Sequence, residues 1–230
     1  MDGTGAPPVP ALPTGFASLD QALGIGGLPR GRIVELFGPA NCGKSALALQ
    51  TAAHLQRIGS SAVWIDAEHT FDAGFAASLG IDLAALPVVV PQSAEEALEI
   101  AGQFAASRAV DLVVVDSAAA LVPALELETG LDVARLQTRV LATALRRIAR
   151  TALRSGACML FVNQARNRMD GSGETSAGGA PLKLHAFVRI TLAKRPGSVR
   201  FRLLKNKAGS AFGRGSLEWR PGAGFIDPTA

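Results

Sequence analysis

The sequence is poor in the residues that build disulfides and metal sites. It contains two cysteines, Cys42 and Cys158, and three histidines, His54, His69 and His185. The cysteines lie far apart without metal-ligand spacing, so we expect free thiols in a reducing compartment. The histidines are scattered as well, which predicts structural roles for them. The sequence also offers no Ser–His–Asp arrangement.

Signals for secretion and for membrane insertion are missing too. The first residues, MDGTGAPPVPALP, have neither a basic start nor an apolar segment. The apolar stretch DLVVVDSAAALVPALEL carries Asp116 in its middle, which is not typical of a membrane span. We therefore expect a cytoplasmic protein that does not bind membranes.

The composition is that of a globular protein, but its charges are unevenly distributed. With 48% hydrophobic and 18% charged residues, 230 residues can form one substantial core. Residues 1–130 hold 5 Lys and Arg against 14 Asp and Glu, a net charge of −9, whereas residues 131–230 hold 18 against 5, a net charge of +13. This asymmetry favours a polyanion or an acidic partner for the C-terminal part, and a solvated basic face is the alternative.

Short β-branched runs alternate with helical stretches along most of the chain. The pattern predicts strands at RIVELF, AVWIDAE, PVVVPQ, DLVVVDS and CMLFVNQ, and helices at KSALALQTAAHLQRI and SAEEALEIAGQFAAS. Beyond Lys183, the segments FVRITLAKR, VRFRLLKNK and SLEWR alternate apolar and polar residues, which predicts antiparallel strands. The expected fold class is α/β, with a mainly parallel sheet flanked by helices and antiparallel strands at its C-terminal edge.

The same pattern predicts the domain organisation. Residues 1–13 are interpreted as a flexible leader rich in Pro and Gly, residues 14–226 as a single domain, and residues 227–230 as a tail. The two tryptophans, Trp64 and Trp219, are expected to pack within the domain.

An arginine-rich helix is predicted from Val133 to Arg154. At about 100° per residue, its six arginines fall within an arc of roughly 120°, and an apolar side lies opposite. This is typical either of a solvated stripe on a surface helix or of a basic face for nucleic acid or an acidic protein. The six are Arg135, Arg139, Arg146, Arg147, Arg150 and Arg154.

The stretch GPANCGKS follows RIVELF directly and matches the phosphate-binding pattern G-x-x-x-x-G-K-[ST] between a strand and a helix. Glycines let such a loop wrap a phosphate, and the helix start supplies backbone N–H donors. Lys44 is expected to reach the terminal phosphates, and Ser45 to offer its hydroxyl to Mg²⁺. The predicted nucleotide-binding residues are Gly38, Pro39, Ala40, Asn41, Cys42, Gly43, Lys44 and Ser45.

Carboxylates are predicted beside this loop. Asp116 ends the strand LVVVD, and the carboxyl end of a parallel strand opens onto the same crevice as the phosphate loop, so Asp116 is expected to hold Mg²⁺. Glu68, at the end of VWIDAE, is a candidate for orienting and deprotonating an attacking water. On the residues alone, Asp66 in the same strand is the rival for that role.

Six segments occur in the order in which they stand in the bacterial RecA family, and they cover nearly everything from Thr14 to Phe212. The chain thus resembles the RecA ATPase core, which implies a RecA-like fold, ATP and Mg²⁺ as ligands, and ATP hydrolysis. It also implies that Glu68, rather than Asp66, activates the water. The segments are TGFASLDQALGIGGLPRGRIVELFGPANCGKS, WIDAEHTFD, LVVVDS, LFVNQ, GGAPLK and LLKNKAGSAF.

The resemblance implies roles for further residues. Gln164 matches the glutamine that senses the γ-phosphate and relays its presence to DNA-binding loops. Asp72 and Phe75 fall where the family contacts adenine, and Phe75 replaces a stacking tyrosine there. Lys205 and Lys207 match lysines that reach the nucleotide of a neighbouring subunit, which would make hydrolysis a property of an interface.

The resemblance also implies contact with single-stranded DNA. Residues 126–132, ELETGLD, and residues 165–177, ARNRMDGSGETSA, match the two loops that line DNA in this family. In the second segment, Arg166 and Arg168 are expected to bind phosphates, and Gly178 and Gly179 follow as hinges.

Some features depart from RecA. Only the Pro-rich leader precedes Thr14, in place of the polymerising helix and strand of RecA, and the chain stops soon after GAGFIDPTA. Leu184 replaces a phenylalanine that helps to couple RecA subunits. A short core of this kind resembles the ImuA group, RecA-like accessory proteins of bacterial translesion synthesis, although the phosphate loop here is intact.

The expected function is accordingly an ImuA-like accessory role in the DNA damage response, with ATP binding and DNA-stimulated hydrolysis. Its partners would be RecA or a translesion polymerase subunit, and it would self-associate more weakly than RecA filaments do. One alternative is a minimal RecA-type recombinase that forms ATP-dependent filaments on single-stranded DNA. A small-molecule kinase is a further, less favoured alternative.

Overall fold

The computed structural model describes residues 9–130, 134–167, 174–177, 179–210 and 212–228, which form an α/β fold around one large sheet. Its helices are α1 (Ala17–Leu23), α2 (Lys44–Arg57), α3 (Ala73–Ser78), α4 (Ala94–Ser107), α5 (Ala124–Thr129), α6 (Ala134–Ser155) and α7 (Ala180–His185). Its strands are β1 (Ala11–Leu12), β2 (Leu28–Pro29), β3 (Ile33–Gly38), β4 (Ala62–Asp66), β5 (Val88–Val89), β6 (Leu112–Asp116), β7 (Cys158–Asn167), β8 (Glu174–Ser176), β9 (Val188–Arg195), β10 (Ser198–Asn206), β11 (Arg214–Arg220) and β12 (Gly224–Ile226).

The large sheet has a parallel core and an antiparallel edge. Its strand order is β12-β11-β10-β9-β3-β7-β6-β4-β5, and β8 pairs with the far end of β7. The strands from β9 through β3 to β5 pair in parallel, whereas β9, β10, β11 and β12 pair antiparallel to one another. The expected fold class, with antiparallel strands at the C-terminal edge, is confirmed.

Apolar side chains cover both faces of the parallel core. On one face, Val34 and Leu36 of β3 join the apolar residues of α1 and α2 in one core cluster. On the other face, Ile33 of β3 joins a second cluster with α4 and α6. Because helices cover both faces, the central strands are near-continuous apolar runs, as the sequence pattern predicts.

Some element boundaries differ from those predicted. β4 ends at Asp66 instead of Glu68, because the N–H groups of Ala67 and Glu68 turn to donate to the carbonyl of Asp116. β5 is limited to Val88–Val89 between two prolines, which have no N–H to donate to a strand. β7 runs on to Asn167 because β8 pairs with its end. Residues 126–129, predicted as loop, belong to α5.

The arginine-rich helix is α6, and its two sides separate as predicted. Leu141, Leu145, Ile148 and Ala152 are fully buried in the second core cluster. The arginines whose side chains are described are exposed, and Arg147 forms an ion pair with Glu99 of α4. The exposed ones are Arg139, Arg146, Arg147, Arg150 and Arg154.

A buried ion pair links β3 to β9. Nε of Arg189 donates to Oε2 of Glu35 over 2.5 Å, and both side chains are buried. The amide of Asn163 in β7 donates to the other oxygen of Glu35 over 2.9 Å. The Arg189 guanidinium also donates to the Ser176 hydroxyl over 3.0 Å and lies 4.8 Å from the centroid of the Phe37 ring. Both charges are therefore fully partnered inside the fold.

Among the described residues, no helix combines the length and the apolar character needed to cross a membrane.

Removing Glu35 should destabilise the fold strongly, because Arg189 would keep a buried charge without its counter-charge. We expect Glu35→Ala to lower the free energy of unfolding by about 3–5 kcal/mol. Urea denaturation followed by circular dichroism measures the change. The matched control is Glu218→Ala, which removes an exposed partner of Arg220 at 3.7 Å and should cost at most about 1 kcal/mol. Equal losses in the two variants would contradict the importance of the buried pair.

Candidate functional site

A cavity of about 600 Å³ lies over the carboxyl ends of β3, β6 and β7. Residues 40–46, from the loop after β3 into the first turn of α2, form one wall of it. The remaining lining residues come from distant parts of the chain: Glu68, Thr70, Phe75, Asp116, Gln164, Lys194, Arg195, Gly197, Ser198, Trp219 and Phe225. The phosphate loop, the candidate metal ligand, the candidate general base and the candidate phosphate sensor thus meet in one place.

The phosphate loop needs glycine at both of its conserved pattern positions. A β-carbon on Gly38 would lie 2.5 Å from the carbonyl oxygen of Leu192 in β9. Gly43 has a φ of 89°, and a β-carbon there would lie 2.4 Å from Cζ of Phe225. Neither position can accept a side chain, so packing on the C-terminal strands adds to the reasons for glycine in this loop.

Lys44 is buried inside the loop that precedes it. Its ammonium donates to the carbonyl oxygen of Pro39 over 2.7 Å and lies 3.9 Å from Sγ of Cys42. Because α2 starts at Lys44, backbone N–H groups of its first turn and the ammonium lie at the same end of the helix. This arrangement can bind a phosphate.

Asp116 and Ser45 form the part of the cavity that suits Mg²⁺. The pKa of the Asp116 carboxyl is raised to about 6, mainly because the group is buried, and the nearby carboxylates of Glu68 and Asp66 also raise it. A hydrogen bond from the Ser45 hydroxyl and the charge of Lys44 act in the opposite direction and lower this pKa. The described residues contain no cluster of three or more His, Cys, Asp or Glu that would form a metal cage. One carboxylate and one hydroxyl suit Mg²⁺, which usually keeps several waters and binds substrate phosphates as well.

The rivals Asp66 and Glu68 have different surroundings. Asp66 is buried, and its carboxylate accepts the backbone N–H groups of Thr70 and Phe71 at 3.2 and 2.9 Å, which fixes the turn after β4. Glu68 is exposed and lines the cavity, with Oε1 3.4 Å from Nε2 of Gln164. This placement favours Glu68 for contact with a water.

Gln164 connects the cavity to the segment that follows it. Its side chain faces Glu68, while its carbonyl accepts the N–H of Ala177 over 2.8 Å. Its own N–H donates to the side chain of Asn163 over 2.9 Å, and Asn163 also donates to the carbonyl of Ala177 over 3.0 Å. The start and the end of segment 165–177 are therefore joined at Gln164.

Several predicted site residues do not line the cavity. The carboxylate of Asp72 caps α3 by accepting the N–H of Phe75 over 2.9 Å. Lys205 donates to the carbonyls of Lys183 and Leu184 at the end of α7, over 3.0 Å in both cases. Lys207 is exposed outside the cavity.

The predicted DNA-binding residues also lie away from the cavity lining. Arg166 is exposed in the part of β7 that pairs with β8. Gly179 is exposed at the start of α7, with a φ of 74°. Arg168 and Gly178 lie outside the described residues.

Sequence reasoning missed eight lining residues, which are Ala46, Thr70, Lys194, Arg195, Gly197, Ser198, Trp219 and Phe225. Five of them lie on the antiparallel strands, whose place beside the phosphate loop depends on the pairing of β9 with β3. Trp219 was expected only to pack; it does pack on Phe225, but it also lines the cavity. The aromatic residues near the chain end carry no local signal for this role.

Comparison with known proteins places the sequence close to one family. A family model described as the RecA N-terminal domain matches residues 3–212. The chain is 42% identical to Protein RecA of Kineococcus radiotolerans, covering 95% of this chain and 67% of that protein. It is 42% identical to Protein RecA of Leifsonia xyli, with coverages of 95% and 65%. Protein RecA of Geobacter metallireducens is 46% identical, with coverages of 82% and 57%. The chain thus spans roughly three fifths to two thirds of the length of these relatives.

The raised pKa of Asp116 predicts a pH dependence for binding of Mg²⁺ with ATP. Lowering the pH from 7 to 5 crosses the pKa of about 6, so the ionised fraction should fall by roughly tenfold, and metal affinity should fall with it. Calorimetric titration with Mg²⁺ and ATP at both pH values measures this. Asp116→Asn should bind weakly at both pH values and lose most of the dependence. Because protonation of ATP itself is common to both proteins, an identical pH profile in the variant would contradict the role of Asp116.

Proposed function

This chain belongs to the RecA family, and on that basis we propose that it is a Mg²⁺-dependent ATPase of the RecA type that is stimulated by single-stranded DNA. One observation carries the proposal. The phosphate loop, Asp116, Glu68 and Gln164 line a single cavity, although they come from four separate parts of the chain. A site that only held nucleotide would need the phosphate loop and a metal ligand, but it would not need a free carboxylate facing an amide sensor.

The proposed chemistry assigns one task to each group. Lys44 and the start of α2 bind the terminal phosphates, and Ser45 with Asp116 holds Mg²⁺, which neutralises charge on the phosphates. Glu68 orients the attacking water and accepts its proton. Gln164 contacts the γ-phosphate, and its backbone bonds to Ala177 carry the change to segment 165–177.

We propose that Lys205 and Lys207 act in the cavity of a second copy of the chain. Lys205 and Lys207 lie outside the cavity of their own chain, and Lys205 is fixed by its bonds to the end of α7. Burial, together with Lys207 and Arg189, lowers the pKa of Lys205. Such clustered cations favour contact with an anion, here the phosphates bound by the neighbour.

An exposed apolar side chain and a partly apolar recess support contact between copies. Leu184, at the end of α7, is 69% exposed and stands beside the carbonyls that hold Lys205. A recess of about 200 Å³ next to Glu68 is lined by apolar residues, Ala67, Leu121 and Leu127 among them, and by the polar residues His69, Gln92 and Ser93. We propose that Leu184 of one copy packs into this recess of the next, which would bring Lys205 towards the neighbour's cavity.

Single-stranded DNA is the proposed polyanion. Arg139, Arg146 and Arg150 lie along one line of α6, within about 40° of each other around the helix axis, and all are exposed. In the part of the chain that the structure describes, these three arginines form no ion pair, whereas Arg147 pairs with Glu99. Unpaired arginines in a row are suited to phosphates.

The relatives bear on the choice between the candidate functions. Sequence identity of 42–46% to RecA proteins supports the RecA-type recombinase alternative over the ImuA-like accessory role. The phosphate loop is intact and its supporting carboxylates are in place, which agrees with that preference. A small-molecule kinase is less well supported, because Gln164 and the paired lysines have no evident task in such an enzyme.

Lys44→Ala should abolish ATP hydrolysis. Loss of a cation on the transferred phosphate is expected to lower kcat by about 10²–10³-fold. Phosphate release is measured with and without single-stranded DNA, which should raise the rate of the unmodified chain. The control is Arg57→Ala, an exposed cation at the far end of α2, which should retain full activity.

One result would contradict the role of Lys44. Unchanged hydrolysis in Lys44→Ala would remove the proposed site.

If hydrolysis needs a neighbour, specific activity should rise with protein concentration, and a mixture of Glu68→Ala and Lys205→Ala chains should partly recover activity. Constant specific activity at all concentrations would exclude action in trans.

Replacing Arg139, Arg146 and Arg150 together by alanine should weaken binding of an oligothymidylate. Three lost phosphate contacts would lower the slope of log affinity against log salt by about 2. Fluorescence anisotropy at several salt concentrations measures both quantities. The control is Arg147→Ala on the same helix, whose guanidinium pairs with Glu99 and whose loss should change the slope little. An unchanged slope in the triple variant would favour the solvated-stripe interpretation.

A further inference from the structure

Gln50 of α2 binds the backbone around β12 through both ends of its side-chain amide. The amide oxygen accepts the N–H of Phe225 over 2.7 Å, and the amide nitrogen donates to the carbonyls of Phe225 and Ala223 over 3.0 and 3.2 Å. Gly224 has a φ of 77°, and a β-carbon there would lie 2.6 Å from the same amide oxygen. Glycine at this position therefore lets the amide approach the strand. These three hydrogen bonds are called the Gln50 clamp below.

The ring of Phe225 carries this contact on to the phosphate loop. Phe225 is buried, and its ring lies so close to Gly43 that a β-carbon on Gly43 would clash with it. Gly43 has a φ of 89° and comes directly before Lys44, where α2 begins. Because glycine has the widest choice of backbone conformations, Gly43 without support would be a flexible point at the start of the helix. The ring of Phe225 restricts the backbone at this point.

The Gln50 clamp closes a circuit of contacts around the start of α2. Gln50 stands six residues after Lys44, about two turns along the same helix. Its hydrogen bonds hold the strand whose aromatic ring covers Gly43. At the other end of the loop, Gly38 is covered by the carbonyl of Leu192 in β9. Neighbouring strands thus enclose both glycines of the loop, and at Gly43 this enclosure depends on a side chain of α2 itself.

We propose that Gln50 is a positioning residue for phosphate binding, because it holds Phe225 against Gly43 and so keeps the loop and the ammonium of Lys44 in the arrangement that receives phosphates. This inference rests on the proposed function, since it needs the phosphates in the loop. A site that is ordered before its ligand arrives avoids the cost of ordering it on binding. Gln50 does not line the cavity, so it acts through Phe225 and not by touching the ligand.

Gln56 provides a matched control on the same helix. Its amide nitrogen donates to the carbonyl of Asp82 over 2.9 Å, and its amide oxygen accepts the N–H of Asp82 over 3.0 Å. Both glutamines are half-buried, but Asp82 does not line the cavity. Gln50→Ala and Gln56→Ala should therefore lower the urea midpoint of unfolding by comparable amounts, and only Gln50→Ala should weaken phosphate binding.

The ligands for the experiment are ATP and inorganic tripolyphosphate, each with Mg²⁺, and calorimetric titration measures their affinities. Gln50→Ala should weaken both by the same factor of about fivefold, the size of one net hydrogen bond, because the clamp acts on the part of the site that both ligands use. Gln56→Ala should leave both affinities within about twofold. Gln50→Met keeps the length of the side chain without its hydrogen bonds, so it should show the same loss and replaces Gln50→Ala if that variant does not fold.

A double variant tests whether Gln50 acts through Phe225. Phe225→Leu keeps an apolar side chain but removes the ring from Gly43, so it should also weaken tripolyphosphate binding by about fivefold. Because both changes break the same series of contacts, Gln50→Met with Phe225→Leu should bind tripolyphosphate within about twofold of Phe225→Leu alone. Losses that multiply in the double variant would show independent effects and would overturn the inference.

The remaining outcomes separate this inference from the proposed function. If Gln50→Ala weakens ATP but not tripolyphosphate, the clamp acts on the part of ATP beyond the phosphates, which overturns the inference. If Gln50→Ala and Gln56→Ala bind both ligands equally well, Gln50 only stabilises the fold, so the inference fails while the phosphate site stands. If the unmodified chain binds neither ligand, both the proposed function and this inference fail.

Discussion

The buried ion pair between Glu35 and Arg189 is the constraint on which the arrangement of the site depends. A charge removed from water must be matched by a counter-charge and by hydrogen bonds, or it destabilises the fold by several kcal/mol. The pair meets this condition by recruiting Asn163 and Ser176, and Arg189 also lies over the ring of Phe37. Three strands and the end of β8 are therefore fixed relative to one another in a single register, because a shift of one residue would leave a charge unpaired.

This hydrogen-bond network links the cavity directly to segment 165–177. Asn163 uses its amide both for Glu35 and for the carbonyl of Ala177, and its side-chain oxygen accepts the N–H of Gln164. Gln164 therefore has a fixed backbone and a side chain that extends to Glu68. A displacement of that side chain by a phosphate would act against a rigid base, so it would be passed to the adjoining segment instead of being absorbed by the sheet. A stiff support of this kind suits a sensor better than a flexible one.

The sequence predicts those parts of the site whose signal is local. The phosphate loop is predicted from eight consecutive residues and Asp116 from the strand that it ends, and residues of both line the same cavity. Trp219 and Phe225 could not be predicted in this way, because their positions depend on the order of four antiparallel strands. Phe225 also packs on Gly43, which lies 182 positions earlier in the sequence. The role of Asp72 was inferred from resemblance alone and stays a prediction; in the structure its carboxylate accepts the N–H of Phe75 and caps α3.

The charges of the cavity give a physical reason for the proposed need for bound cations and for a second copy of the chain. Asp66, Glu68 and Asp116 bring three carboxyl groups close together, and their mutual repulsion contributes to the raised pKa of Asp116. Lys44 is the buried cation among the described residues of this group, and one ammonium cannot balance three carboxylates and a triphosphate. Under the proposed function, Mg²⁺ would supply part of the missing positive charge, and Lys194 and Arg195 line the cavity from the antiparallel edge of the same chain. Apart from Lys44, the sequence as a whole follows this division, because the acidic residues 1–130 contain the three carboxylates and the basic residues 131–230 contain Lys194 and Arg195. In the proposed assembly, a second copy that presents Lys205 and Lys207 to the cavity would complete the balance, and this would couple association to hydrolysis through the same electrostatic deficit.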